Sequence, residues 1–167
     1  MQPFLEDIRR LSEDGDAKTA LDLIDLWLVD NPTDTEARLL RAEICLIAQR
    51  HYAYVGQILS NPNFAEDTRV EELRKRSSET AWSLVTQGRE RLRSRYPDEA
   101  LECFDKAVAL LPFDVVIPLA AGLALIRNGA PETLAANSPF EEARRRLNPT
   151  TLANKIEHYL RLVIAQT

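Results

Sequence analysis

The side chains able to do chemistry in this chain are few and scattered. His51 and His158 are its two histidines, and neither has a second metal-ligating residue three or four positions further along a helix. Zinc needs such neighbours, so each histidine reads as a surface or half-buried helix residue. Cys45 and Cys103 both fall on apolar helix faces, where thiols pack as small hydrophobes, and no oriented base is visible beside either. The acidic run Glu13-Asp14, Asp16 lacks the loop of a calcium hand and reads as a solvated turn. No glycine loop of the phosphate-cradling kind occurs. The chemistry these residues predict is binding rather than catalysis, with no metal and no cofactor. An enzyme with an unrecognised site on a helical scaffold is the competing possibility.

Basic residues are denser. Arg89, Arg91, Arg93 and Arg95 lie close together, and Arg74-Lys75-Arg76 and Arg144-Arg145-Arg146 add to them. At 100° per residue, Arg89 and Arg93 face one way while Arg91 and Arg95 face nearly the opposite way. Glu71, Glu72 and Glu90 are interleaved, so the pattern predicts solvated faces with local ion pairs rather than an anion site. The net charge of −5 also argues against a general nucleic-acid binder, which must displace counterions with a basic footprint. The acid is unevenly spread: residues 1–60 carry 11 acidic and 6 basic residues, and 61–167 carry 15 of each. An acidic N-terminal half would steer a basic partner.

With 167 residues, 45% hydrophobic and 28% charged, the chain has room for one globular core. The start Met1-Gln2-Pro3-Phe4 lacks a basic, apolar leader, and the two isolated cysteines suit a reducing cytoplasm. The longest apolar run, Val115 to Ile126, is too short for a membrane span and predicts a helix buried on both sides.

The elements that position these residues are all helical. Phe4, Ile8 and Leu11 form one stripe, and a second helix from Ala17 to Val29 is apolar over much of its circumference. Asn31-Pro32 closes it. Thr33 and Glu36 have capping-box spacing, which starts a third helix there. His51 to Leu59 is a short helix, and an unbroken stripe from Val70 to Leu92 predicts one long helix from about Phe64 to about Arg95. Pro97 opens the next helix and Pro112 ends it, with Ala100, Leu101, Phe104, Ala107, Val108 and Leu111 along its apolar side. Asp114 caps a helix ending at Asn128-Gly129. A short turn of helix at Pro131 to Ala136 and two capping helices within 139–165 complete the chain.

The stretch from Gly88 to Pro112 resembles a tetratricopeptide repeat, the 34-residue helix–turn–helix unit. Gly88 and Ala100 stand where its two helices cross closely, and Pro112 stands as its closing proline. Gly122 follows Gly88 by one full repeat length. Ala20 is separated from Pro32 by the same interval that separates Ala100 from Pro112. The interval from Ala42 to Gly88 is longer than one repeat, so the second repeat carries an insertion. The resemblance implies an all-α domain over 1–167, with repeats at about 1–33, 34–80, 81–113 and 114–137, stacked as a short right-handed superhelix. It further implies a concave groove lined by Leu5, Arg9, Leu39, Glu43, Val85 and Arg89. Leu5 and Leu40 stand where the family's chaperone-binding members carry a lysine and an asparagine, so their carboxylate clamp is not present. The expected function is a scaffold or adaptor that binds a peptide or helix of another protein. The alternative is a structural or oligomerisation module, a homodimer paired through its long and C-terminal helices.

Overall fold

The computed structural model describes residues 3–64 and 67–127. Among these the elements are helices: α1 Pro3–Glu13, α2 Ala17–Asp30, α3 Thr35–Ile47, α4 Tyr52–Ser60, α5 Thr68–Arg93, α6 Pro97–Leu110 and α7 Val116–Arg127, with a 3-10 turn at Pro62–Phe64. The elements expected from Asn128 onward, together with His158 and Arg144–Arg146, lie outside the described residues. Two compact units divide the chain. The first takes Met1–Leu84 and Asp105–Pro112, the second Val85–Phe104 and the described part of Phe113–Thr167. Helices α5 and α6 each contribute to both.

Three helices end in the same way. At the end of α1, Gly15 N–H donates to Ser12 O and Asp16 N–H to Leu11 O, with Gly15 left-handed at φ 96°. At the end of α3, Gln49 N–H donates to Leu46 O and Arg50 N–H to Cys45 O, with Gln49 at φ 54°. At the end of α5, Arg95 N–H donates to Leu92 O and Tyr96 N–H to Arg91 O, with Arg95 at φ 65°. This bonding pairs the carbonyls a helix would otherwise leave bare, and it needs one left-handed residue.

The helices that follow the first and third of these turns correspond position for position. Both α2 and α6 have 14 residues, starting at Ala17 and Pro97, each two positions after its left-handed residue. Pro32 and Pro112 lie just beyond their ends, in the same register. Asp34 then caps α3 by accepting from Ala37 N–H at 3.1 Å, and Asp114 caps α7 by accepting from Ile117 N–H at 3.1 Å. Thr33 is therefore not the cap. Asp34 takes its place because its carboxylate serves two donors, the second being the Trp27 indole N–H at 2.9 Å.

In the first unit α1 packs on α2, α2 on α3, α3 on α4, and α1 also reaches α3. Leu5, Ile8, Ala20, Ile24, Leu40 and Ile44 are among the side chains that fill the space between them. Arg41 ties three helices together: it pairs with Asp25 of α2 while its guanidinium lies 4.1 Å from the centre of the Tyr54 ring of α4. Gly56 of α4 lies against the end of α6, where an added Cβ would meet the carbonyl of Ala109 and come within 2.9 Å of Pro112 Cδ. Helix α2 buries Ala20, Leu21 and Ile24 but leaves Leu26 and Val29 exposed, so it packs through one side and not all round. Helix α5 runs through Ser77 without a break, and Ser77 is fully buried.

In the second unit Gly88 does lie at a close crossing, but the atoms nearest it belong to Phe104 rather than Ala100. An added Cβ would come within 2.8 Å of Phe104 Cζ, and Phe104 is itself buried. A whole ring, not a second small residue, occupies the space that glycine leaves. In α7, Val116 is exposed at its start, while Ile117, Ala121 and Leu125 are buried.

Two tests follow from these packings, both read as urea midpoints. Gln49→Gly and Arg95→Gly are each expected to stabilise the protein by roughly 1 kcal/mol, because a Cβ is strained in the left-handed region, and Gly15→Ala to destabilise it by a similar amount. Unchanged midpoints in all three would contradict the shared turn geometry. Gly88→Ala is expected to cost about 1–3 kcal/mol despite its better helix propensity, and to cost much less when combined with Phe104→Leu. Additive losses would show that the ring is not what the glycine accommodates.

Candidate partner-binding face

Helices α1, α3 and the first part of α5 carry charged residues at matched positions. Glu36 and Glu43 are two turns apart along one face of α3, and Arg69 and Arg76 keep the same spacing on α5. Arg9 of α1 extends Nη1 to Glu43 Oε2 at 3.2 Å. Arg69 extends Nη1 to Glu36 Oε2 at 2.5 Å, and its fork also holds Asp67 through Nε at 3.0 Å and Nη2 at 2.6 Å. This bidentate grip, with Arg69 N–H also donating to Asp67, ties the approach to α5 and its first turn to the start of α3.

Glu43 is the most enclosed member, with a side chain 17% exposed against 30% for Arg9. Burial pushes its carboxyl above the ordinary carboxylate range. The charges of Arg9, Arg69 and Arg76 oppose that shift, and Glu36 adds to it. Asp67 moves the other way, lowered by the hydrogen bonds of Arg69. Arg9 Nε is buried without a hydrogen-bond partner. Its pairing is therefore incomplete, which leaves part of the guanidinium's donor capacity unused. The whole is a line of alternating charge whose acidic and basic side chains pair across helices.

The expected groove residues separate into two kinds. Arg9 and Glu43 are brought together as an ion pair. Leu5 and Leu39 are only 1% exposed and Val85 is 0% exposed, so these three are core and have no surface to offer a partner. The same helical face that turns them inward turns the charged positions four residues on toward its border. Arg89 is exposed in the second unit. Three participants, Glu36, Arg69 and Arg76, are not separable from ordinary solvated charge by sequence. Their signal is the shared two-turn spacing on two helices that have still to be brought alongside. Arg74, by contrast, pairs within its own helix, with Glu71 at 2.5 Å.

Chemistry elsewhere is limited. Burial pushes the Cys45 thiol up to about 11, so it stays protonated at neutral pH, and Cys103 is half-buried. Among the described residues no group of His, Cys, Asp and Glu side chains could hold a metal. No described helix is long and apolar enough to cross a membrane.

The raised Glu43 predicts a definite pH dependence. Between the ordinary carboxylate range and its own folded value, the folded chain binds more protons than the unfolded one. The stability due to this group is therefore fully present at low pH and falls as pH rises through that window. Glu43→Gln abolishes the titration, so the stability of the variant minus that of the native protein should rise across that window and then level. Urea unfolding of both proteins at a series of pH values measures it. A difference that is flat, or that falls with pH, would show that burial does not dominate at Glu43. Asp67 is unchanged in both proteins and cancels.

No family model, curated protein or solved structure matches this chain.

Proposed function

We propose that the chain is an array of helical hairpins of the tetratricopeptide kind and that it works by binding another protein, without catalysis, in the reducing cytoplasm. The observation that carries this reading is the recurrence of one turn. The left-handed residue and its pair of backbone hydrogen bonds, first seen at Gly15, return at Gln49 and at Arg95, although glycine itself does not. The step from Gly15 to Gln49 equals the length of one tetratricopeptide unit. The step from Gln49 to Arg95 is longer, and α5, which fills much of it, runs to 26 residues. Repeats of this construction act through side chains that matched helices present together. Here those side chains are Arg9, Glu43, Arg69, Glu36 and Arg76. The partner that suits them is a peptide or helix of mixed charge whose own acidic and basic groups exchange with this ladder of alternating charges.

Affinity capture from the native cell followed by binding measurements on the captured partner tests this. Arg9→Ala and Arg76→Ala should each weaken binding by roughly fivefold, the scale of a partly exposed charge pair, with a loss that shrinks at high salt. A partner bound equally by both variants would remove this face from the interaction. Self-association that grows with concentration in light scattering, with no partner present, would favour the oligomerisation module instead.

A further inference from the structure

Helix α2 carries two large apolar side chains outward. Leu26 and Val29 are 65% and 75% exposed, and with Asp22 they stand at i, i+4 and i+7 along one line of the helix. Trp27 follows Leu26, and its ring supports Phe4 of α1 at 5.2 Å between centroids; Phe4 is itself 39% exposed. A single exposed leucine needs no explanation, but a cluster on one helix does. Helix architecture does not demand it, because the equivalent positions in α6 are Lys106 and Ala109.

The surroundings are acidic. Asp22, Asp25 and Asp30 lie on α2 with Lys18 as its one basic residue. Asp25 is engaged by Arg41, whereas Asp22 and Asp30 are exposed and, among the described residues, take part in no ion pair. The last turn of α2 has no basic residue to offset the negative end of the helix dipole. Apolar anchors, two open carboxylates and a helix C-terminus without a basic residue therefore converge on one strip.

We propose that this strip docks a cationic amphipathic helix of a partner protein. Its apolar residues, three and four apart, would lie on Leu26 and Val29, and its Lys or Arg residues beside Asp22 and Asp30. A second copy of the chain fits poorly, since a twofold pairing of the strip sets like charges against one another. The docking involves α2 and not the Arg9–Glu43 pair, so it stands or falls separately from the ladder.

The probe is a fluorescent helical peptide of about 18 residues with one leucine face and one lysine face, and a twin with glutamate in place of lysine. Titration of the isotope-labelled full chain is expected to shift the amide resonances around Leu26 and Val29 with the lysine peptide and not with the glutamate twin. The double variant Leu26→Ser/Val29→Ser should weaken binding by about tenfold or more, the scale of a central anchor. Asp22→Asn/Asp30→Asn should weaken it and flatten its salt dependence. These side chains are exposed, so unfolding midpoints should change little and confirm intact folding. Absence of binding, equal binding of both peptides, or unchanged affinity in the serine variant would overturn the proposal. So would self-association that the serine variant abolishes, which would assign the strip to a second copy.

Discussion

A helix can reverse direction within a very short turn only if its last carbonyls find donors and one residue accepts a left-handed backbone. Much of the architecture of the described residues depends on meeting that condition three times. Gly15 meets it without cost, since it has no Cβ to collide with the following carbonyl. Gln49 and Arg95 meet it with strain, and the helices that pack on either side must hold them there. After Gly15 and Arg95 the next helix starts in the same register. Matching helix lengths, closing prolines and aspartate caps then recur beyond it.

Close approach is the second constraint, and it is met differently in the two units. Gly56 lets backbone meet backbone, where the Ala109 carbonyl leaves no room for a methyl group. Gly88 admits an aromatic ring, so the Phe104 side chain is buried within the crossing. Both arrangements put large apolar area inside while keeping helix axes near one another. Leu5, Leu39 and Val85 are drawn inward by that packing, which leaves the charged positions on the same helices to define what is presented outward.

Two kinds of surface result. Along α1, α3 and α5 the charges alternate and largely compensate one another, so this face exerts little long-range attraction. Glu43 is held there at the expense of its hydration, with Arg9 only partly satisfied in return. On α2 the carboxylates of Asp22 and Asp30 are open and Leu26 and Val29 are exposed, so attraction and burial both remain to be gained. The acidic bias of residues 1–60 belongs to this second surface more than to the first.

Periodicity determined the helices because local physics is enough to write them. Apolar steps of three and four residues, Pro97 and Pro112 at the ends of α6, Asp114 before α7, and the unbroken stripe of α5 are all read without knowing any neighbour. The correspondence of α2 with α6 was likewise legible, in the equal steps from Ala20 to Pro32 and from Ala100 to Pro112. The left-handed turns at Gln49 and Arg95 were not, because neither residue type announces such a backbone; neighbouring helices impose it. Nor could sequence tell that Gly88 faces Phe104, that Leu26 and Val29 stay exposed on a helix apolar over much of its circumference, or that Glu36 and Glu43 stand beside Arg69 and Arg76. Each of these is a relation between helices. A helix records which of its faces is apolar, but only the packed structure decides which neighbour covers that face and how far the cover extends.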